Sequence, residues 1–271
     1  MKKISDLIIM SDVDGTLLHA NHSPVPSRGN IEALERFVAK GGRFAISTGR
    51  SLRYIQHLID VTPVNFPCIV FNGGGVYDFQ KQEYLYKQLF PQEAAQYVKE
   101  IHEAFPDCGA VLVDENAYMD IGGTVKEKLE PLYKNLLLQP AGFDDMKDPL
   151  MKAFFIADAE RGKQIYEYTQ QTKFSGVRFV FSDKYMLEML PEGASKGAAI
   201  EQLVKLTGTP IENFVAIGDY YNDFEMIECA GIGVTLSDAP QDIQDIAQMI
   251  VRPCSEDSLA DLIEQLEELY A

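Results

Sequence analysis

Apolar runs alternate with amphipathic stretches over residues 4–80, and this pattern predicts strands that alternate with helices. The predicted strands read "ISDLIIM", "RFAIST" and "PCIVFN". Between them lie a helix with Ile31, Leu34, Phe37 and Val38 at helical spacing and a second helix, "SLRYIQHLI". Strands that are apolar throughout are typical of a parallel sheet with both faces covered. We therefore expect an α/β fold with a doubly wound parallel sheet.

The pattern changes at about residue 83. The helix "QEAAQYVKEIHEAF" is followed by the short strands "GAVLVD" and "AYMDI", and their connection through Glu115 and Asn116 indicates a hairpin. The elements that follow are a helix around Lys126 to Leu136, the strand "KAFFIAD", a helix around Arg161 to Gln170, and the strand pair "VRFVFS" and "KYMLEML". This succession predicts a second, largely antiparallel α+β module.

The first pattern returns after Pro191. It comprises the helix "SKGAAIEQLVKLTG", the strand "FVAIGD", a short helix, the strand "GIGVT" and two more helices. We infer that residues 83–185 form an α+β cap domain inserted into a core that residues 1–82 and 186–271 build together. The connecting segments are expected near residues 81–84 and 184–192.

Polar residues follow the predicted core strands at the points where the strands end. Ligands bind at this carboxyl edge in open parallel sheets, so these residues are candidates for a site. They are Asp12 and Asp14; Thr48, Gly49 and Arg50; Asn72 with Gly73 to Gly75; and Asp219, Asn222 and Asp223. Plainer explanations also exist. Thr48 and the later aspartates fit helix caps, the glycine run fits a turn, and Lys196 fits a solvated surface lysine.

The convergence of Asp12, Asp14, Asp219 and Asp223 at one edge predicts a cation site. Two carboxylates about 5 Å apart repel by roughly 3 kcal/mol at an effective dielectric of about 20, so a positive charge is needed among them. Oxygen ligands without histidine or cysteine favour Mg²⁺. Donors for phosphate oxygens are also present: the Thr48 hydroxyl, the Gly49 N–H and the Lys196 ammonium.

Composition narrows the classes of partner. The 271 residues include 41 acidic and 24 basic side chains, and the net charge of −17 opposes binding to nucleic acid and to anionic membranes. The four cysteines are scattered without a CxxC motif, which favours free thiols and a reduced cytoplasm. No apolar stretch approaches the roughly 18 to 20 residues that span a bilayer. We therefore expect a cytoplasmic protein with no evident obligate protein partner.

Four motifs, "DVDGTLL", "STGR", "SKG" and "GDYYND", occur in this order along the chain. They resemble the four motifs of the haloacid dehalogenase superfamily, and "EMLPEGASKG" beside the inserted module is similar to its Cof-type sugar-phosphate phosphatases. The resemblance covers the whole chain and implies a Rossmann-like core with a C2-type cap. One departure is that Tyr220 and Tyr221 stand where family members often carry smaller polar residues.

The resemblance implies Mg²⁺-dependent hydrolysis of small phosphorylated metabolites such as sugar phosphates. Asp12 would be the nucleophile that forms an aspartyl-phosphate, and Asp14 would be the general acid and then the general base. Lys196 would neutralise phosphate charge and orient Asp12. The implied metal ligands are the Asp12 carboxylate, the Asp14 carbonyl oxygen, Asp219 and Asp223. The implied substrate-binding residues are Thr48, Gly49, Arg50, Asn72 and Asn222.

Two alternatives remain open at this point. A phosphomutase would use the same nucleophile and keep the phosphoryl group, whereas a phosphate-binding protein without turnover would keep only the pocket. Release of inorganic phosphate distinguishes them from a phosphatase. We expect loops of the cap, including residues 114–118 and Lys184, to select the substrate.

Overall fold

The computed structural model describes residues 2–19, 24–123, 138–145 and 149–270. The chain divides into two compact units. Unit 1 comprises Met1–Lys87 and Ser195–Ala271, and unit 2 comprises Gln88–Ala194. The helix predicted around Lys126 to Leu136 lies outside the described residues.

Unit 1 is built on a five-stranded sheet whose neighbouring strands are all parallel. Its strands are β1 (Ile8–Ser11), β2 (Arg43–Ile46), β12 (Phe214–Gly218), β13 (Ile232–Leu236) and β14 (Met249–Val251). The order across the sheet is β14-β13-β12-β1-β2, so the chain changes direction across the sheet beside β1. Every residue of β1 and β12 is buried, as the continuous apolar pattern predicts. The doubly wound parallel α/β core is thereby confirmed.

Helices flank this sheet in unit 1. They are α1 (Arg28–Ala39), α2 (Leu52–Val61), α5 (Lys196–Thr207), α6 (Phe224–Cys229), α7 (Gln241–Ile246) and α8 (Ser258–Tyr270). The Ser27 hydroxyl caps α1 by accepting the Asn30 N–H at 3.1 Å. Asn30 in turn accepts the N–H groups of Leu259 and Ala260 at 3.1 Å, so one side chain links α1 to the first turn of α8.

A separate three-stranded antiparallel sheet follows α2 in unit 1. It consists of β3 (Cys68–Val70), β4 (Gly75–Asp78) and β5 (Glu83–Lys87). The segment "PCIVFN" therefore does not become a regular third strand of the parallel sheet. It touches that sheet through one parallel bridge between Ser47 and Ile69 and then turns into the β4 hairpin. The sequence pattern did not reveal β4 and β5, which are short strands, "GVYD" and "EYLYK", whose outer residues are charged or glycine.

The boundaries between the units also differ from the predicted ones. Residues 83–87 pair with β4 and so extend unit 1 beyond residue 82. The second predicted connection, residues 184–192, falls largely on β11 (Met186–Pro191), which is hydrogen-bonded on both sides within the unit 2 sheet. The changes of unit lie instead at 87/88 and 194/195.

Unit 2 contains a six-stranded mixed sheet. Its strands are β6 (Gly109–Val113), β7 (Tyr118–Gly122), β8 (Leu138–Pro140), β9 (Lys152–Ile156), β10 (Val177–Asp183) and β11, in the order β10-β11-β9-β6-β7-β8. All neighbours are antiparallel except β7 and β8, and the predicted β6–β7 hairpin is confirmed. Helices α3 (Ala94–Ala104) and α4 (Ala159–Thr172) contribute Val98, Ile101 and Ile165 to its buried core.

Two further findings bear on the sequence expectations. Searching the ranges that the structure describes finds no helix of the length and apolarity that a membrane span requires. The four cysteines are free thiols, with Cys68 and Cys108 buried and Cys229 and Cys254 half-buried. The cytoplasmic location stays a prediction.

Candidate active site

Asp12 lies immediately after β1, at the carboxyl edge of the parallel sheet. Its N–H donates to the Ile217 carbonyl at 2.9 Å, which continues the β1–β12 pairing by one residue and fixes the backbone there. Its side chain is only 7% exposed. The strand therefore delivers a carboxylate to the point where the strand order reverses, where parallel sheets bind ligands.

Lys196 contacts Asp12 from the first turn of α5. Its ammonium donates to Asp12 Oδ1 at 2.6 Å and to Asp223 Oδ1 at 2.5 Å, and its side chain is fully buried. A cation at a helix N-terminus opposes the helix dipole, so these two carboxylates must supply the stabilisation. The alternative of a solvated surface lysine is wrong.

Asp219 and Asp223 follow β12 around one short 3₁₀ turn, Tyr221–Asp223. Asp223 Oδ2 accepts the N–H groups of Asp219 at 3.1 Å and Tyr220 at 3.2 Å, so Asp223 does brace the turn as the capping explanation expects. Its other oxygen nevertheless binds Lys196. Asp223 thus joins the turn after β12 to the ammonium beside Asp12.

Asp12, Asp219 and Asp223 form an acidic cluster, in which one carboxylate oxygen of each lies within 4.8 Å of the others. The pKa of Asp12 is raised to about 7, mainly because the carboxyl group is buried. The attraction of Lys196 lowers this pKa, and repulsion from Asp223 and Asp14 raises it further. Burial and the neighbouring Asp12 and Asp223 also raise the pKa of Asp219 well above its usual range. Burial lowers the pKa of Lys196, but the two carboxylates outweigh it and the net shift is upward.

A charge imbalance adds to the effect of burial on the two aspartates. Three carboxylates surround one ammonium, so the acidic cluster carries excess negative charge whenever its members are ionised. A divalent cation removes that excess, and an all-oxygen donor set suits Mg²⁺. The residues present therefore fit the predicted metal.

The Asp14 carboxylate does not join the acidic cluster. Arg50 Nε donates to Asp14 Oδ2 at 2.9 Å and Arg50 Nη2 donates to Asp14 Oδ1 at 2.5 Å, which is a two-pronged ion pair. The sequence prediction placed Arg50 on the substrate and did not foresee this pair. Asp14 and Arg50 are 36 residues apart, and nothing local in either motif indicates the contact.

Gly15 provides room beside the acidic cluster. Its φ is +92°, in the region that favours glycine, and a Cβ placed there would lie 2.4 Å from Asp219 Oδ2. Next to it, the Thr16 hydroxyl donates to Asp219 Oδ1 at 3.0 Å. Sequence reasoning missed Thr16, although its place in "DVDGTLL" made it a neighbour of the candidate residues.

The predicted phosphate donors Thr48 and Gly49 lie after β2, against Asn72. Thr48 is buried and is not the helix cap, because Ser51 precedes α2. Its hydroxyl accepts the Arg50 N–H at 3.2 Å. A Cβ on Gly49 would lie 2.7 Å from Asn72 Nδ2, so only glycine allows this approach.

Asn72 is held in a strained conformation. Phe71 and Asn72 have φ values of +52° and +51°, which are uncommon for residues with a side chain. The Asn72 N–H donates to the Thr48 carbonyl at 2.9 Å, and Asn72 Oδ1 accepts Asn222 Nδ2 at 3.1 Å. The structure therefore brings together Asn72 and Asn222, which the sequence placed on separate strand ends.

The expected selector residues in unit 2 have local contacts. Asp114 Oδ1 accepts the N–H groups of Asn116 and Ala117 at 2.7 Å, so this side chain shapes its own hairpin loop. The Lys184 ammonium lies 4.7 Å from the centre of the Tyr185 ring. Their part in substrate selection stays a prediction.

Comparison with known proteins places this geometry in context. The model of the haloacid dehalogenase-like hydrolases matches residues 9–263, which is most of the chain. The chain is 26% identical to the 5-amino-6-(5-phospho-D-ribitylamino)uracil phosphatase YwtE of Bacillus subtilis, over 95% of this chain and 97% of that one. It is also 26% identical to the pyridoxal phosphate phosphatase YbhA of Escherichia coli, over 94% of this chain and 97% of that one.

A solved structure supports the fold over the same length. The chain superimposes on a haloacid dehalogenase-like hydrolase from Bacteroides thetaiotaomicron with a TM-score of 0.83 and 25% identity. The match covers 96% of this chain and 99% of that one. Both units therefore have counterparts in a protein of the same architecture.

Proposed function

The chain belongs to the haloacid dehalogenase-like hydrolases, as a Cof-type phosphatase, and from this membership we propose that it hydrolyses small phosphate monoesters through a phosphorylated Asp12. One observation carries the proposal. The Lys196 ammonium is fully buried and bonded to Asp12 at 2.6 Å, within an acidic cluster that holds more negative than positive charge. A buried carboxylate at a sheet's ligand-binding edge, oriented by a lysine, is suited to nucleophilic attack.

In the first step, an Asp12 carboxylate oxygen forms a bond to phosphorus and the bond from phosphorus to the ester oxygen breaks. Lys196 holds Asp12 in place and offers its positive charge to the incoming phosphoryl group. Asp14 gives a proton to the departing oxygen, and the alcohol leaves. The Thr48 hydroxyl, the Gly49 N–H and the Asn72–Asn222 pair would position the substrate.

In the second step, water attacks phosphorus and the bond to Asp12 breaks. Asp14, now ionised, accepts a proton from that water, so inorganic phosphate leaves and both aspartates return to their starting states. This sequence needs no oxidant, reductant or second substrate.

Mg²⁺ fits the acidic cluster as the cofactor. Asp12, Asp219 and the Asp14 carbonyl oxygen would hold it, with Asp223 bracing the site through Lys196. When bound, Mg²⁺ would neutralise charge on the phosphoryl oxygens and keep Asp12 ionised at neutral pH. Burial raises the pKa of Asp12 to about 7, so a bound cation would shift this carboxyl group towards its ionised form.

The two relatives act on phosphate esters of compounds that contain a nitrogen heterocycle. We therefore include such esters beside sugar phosphates among the candidate substrates. Phosphate release ranks the candidate substrates in a screen of sugar phosphates, nucleotides, flavin mononucleotide and pyridoxal phosphate.

The function is tested with p-nitrophenyl phosphate and Mg²⁺. We expect release of nitrophenol and of inorganic phosphate in equal amounts, loss of both on chelation, and loss of both in Asp12→Asn. Asp60→Asn is the matched control, because Asp60 is an aspartate on α2 outside the site. Full activity in Asp12→Asn, with contamination excluded, contradicts the covalent route. Transfer of phosphate between positions of one sugar without phosphate release identifies a phosphomutase.

A further inference from the structure

The pair between Arg50 and Asp14 differs from the other charged contacts of the site because it is partly open to solvent. The Asp14 side chain is 57% exposed and that of Arg50 is 28% exposed. An exposed carboxylate by itself samples several rotamers, and a proton donor with no fixed direction is a poor catalyst. Something must hold Asp14 in one orientation.

Arg50 is itself fixed at its backbone. Its N–H donates to the Thr48 hydroxyl at 3.2 Å, and its carbonyl accepts the Phe71 N–H at 3.1 Å. The start of the Arg50 side chain is therefore tied to the two segments that follow β2 and β3.

The guanidinium is fixed as well. Nη1 donates to the Tyr54 carbonyl in the first turn of α2 at 3.3 Å, while Nε and Nη2 bind the two oxygens of Asp14. A two-pronged arginine–carboxylate pair sets both the direction and the plane of the carboxylate. Lysine cannot reproduce that geometry because it presents a single ammonium.

We propose that Arg50 is a positioning residue for Asp14, which aims the carboxylate in both proton transfers, and that it is not a ligand of the substrate phosphate. This inference rests on the proposed function, because it assigns Arg50 through the role of Asp14. It also explains why the carboxylate of Asp14 stays apart from the acidic cluster that would hold Mg²⁺.

The proposal predicts an effect that depends on the leaving group. A poor leaving group such as an alkyl alcohol needs a proton from Asp14, whereas nitrophenolate leaves without one. In Arg50→Ala we expect kcat on an alkyl phosphate to fall about 10²-fold with KM nearly unchanged. With p-nitrophenyl phosphate, Asp12 is still phosphorylated at a near-normal rate. The phosphoenzyme then accumulates, because Asp14 is misaligned as the base for the second step.

The experiment compares wild type, Arg50→Ala, Arg50→Lys, Asp14→Asn and the double variant Asp14→Asn/Arg50→Ala. Steady-state kinetics on both esters are combined with acid quenching to measure the phosphorylated fraction. Arg50→Lys is expected to resemble Arg50→Ala, and the double variant is expected to resemble Asp14→Asn. The control is Arg53→Ala, which removes the same charge from an exposed position in the following helix. The leaving-group effect is read from the ratio of kcat/KM for the two esters, because kcat/KM reports the phosphorylation step and hydrolysis of the phosphoenzyme is common to both. This ratio is measured within each protein, so a partly unfolded sample does not imitate the effect.

Three outcomes overturn the proposal. An equal rise in KM for both esters with kcat retained would make Arg50 a phosphate ligand. The two residues would be independent if adding Arg50→Ala to Asp14→Asn lowered activity by the same factor as Arg50→Ala lowers it in wild type. Kinetics of Arg50→Ala that match wild type would remove any role. The proposed function fails separately, if wild type releases no phosphate or Asp12→Asn remains active.

Discussion

In the part of the chain that the structure describes, two lysines are buried beside carboxylates, and their surroundings differ in charge balance. Lys152 on β9 lies 3.0 Å from both oxygens of Glu188 on β11 in unit 2, with side chains 5% and 2% exposed. Lys196 in unit 1 is equally buried but contacts Asp12 and Asp223, with Asp219 close to both. Both lysines are therefore buried. In the Lys152–Glu188 pair one positive charge faces one negative charge, whereas around Lys196 three carboxylates face one ammonium.

The Lys152–Glu188 contact is a structural ion pair, whereas the surroundings of Lys196 have the features of a binding site. In the Lys152–Glu188 pair, one ammonium binds both oxygens of one carboxylate, so the charges of these two side chains cancel. Around Lys196, burial and the added repulsion of Asp223 and Asp14 raise the pKa of Asp12 to about 7, and three carboxylates outnumber the one ammonium. Lys196 indicates a functional site because the carboxylates around it carry more negative charge than its ammonium can neutralise.

The largest effect is expected from Lys196→Met, which removes the only ammonium bonded to Asp12 and Asp223 among the residues described. We expect kcat to fall by about 10³ or more, and the free energy of unfolding in chelator to fall by about 3 kcal/mol or more. Mg²⁺ should restore part of that stability by mass action, as read from urea denaturation. No recovery with Mg²⁺ would argue against a cation site in the acidic cluster.

Breaking the balanced pair should affect stability and leave the chemistry in place. Glu188→Gln strands the Lys152 ammonium in a buried position, and we expect a loss of about 3 to 5 kcal/mol in the free energy of unfolding. Replacing both residues, with Lys152→Met and Glu188→Leu, should recover most of it. Mg²⁺ should recover nothing beyond its effect on wild type. A Glu188→Gln protein as stable as wild type would show that the pair contributes little.

The pH dependence of the free energy of unfolding should also distinguish the acidic cluster around Lys196 from the Lys152–Glu188 pair. Burial raises the pKa of Asp12 from 3.8 to about 7, so the folded chain binds this proton more tightly than the unfolded chain. The stabilisation from this group is complete below pH 3.8 and is lost as pH rises to about 7, at up to about 1.4 kcal/mol per pH unit.

Urea denaturation in chelator between pH 4 and pH 8 measures this slope. Asp12→Asn should reduce this slope without abolishing it, because the pKa of Asp219 is also raised. Saturating Mg²⁺ should reduce the slope in wild type because the cation replaces the proton. Glu188→Gln should leave the contribution of Asp12 unchanged. Parallel curves for wild type and Asp12→Asn would contradict the raised pKa.

The smallest effect is expected from Thr16→Val, which removes a hydrogen bond to Asp219 while keeping the side-chain shape. Partners of metal ligands typically alter metal affinity by 10- to 100-fold, and we expect about tenfold weaker Mg²⁺ binding. Calorimetric titration of the metal-free protein measures it. An unchanged affinity would remove Asp219 from the proposed ligand set or show that Thr16 does not orient it.

The sequence predicts the site residues that directly follow the core strands, because their position depends only on the fold class. Asp12, Thr48, Asn72 and Asp219 follow buried strands or the segment beside them, and parallel strands end at one edge. Their proximity therefore follows from fold class. Their catalytic roles remain predictions of the family resemblance.

Side-chain partners were less predictable. Arg50 contacts Asp14 across 36 residues and Thr16 contacts Asp219 across 203, and both depend on rotamers that no local pattern encodes. The limits of the units were missed for a related reason. The hairpin partner of residues 83–87 and the sheet partners of β11 decide which unit those segments join, and pairing depends on tertiary structure.

The proposed function depends on phosphorylation of Asp12 in the acidic cluster, which can be detected chemically. Asp14→Asn protein is mixed with p-nitrophenyl phosphate and Mg²⁺, quenched in acid, digested, and mapped by mass spectrometry. We expect a hydroxylamine-sensitive phosphoryl group on the peptide that contains Asp12, at close to one per chain. Phosphate on another residue, or turnover without any phosphorylated chain in either Asp14→Asn or wild type, would contradict it.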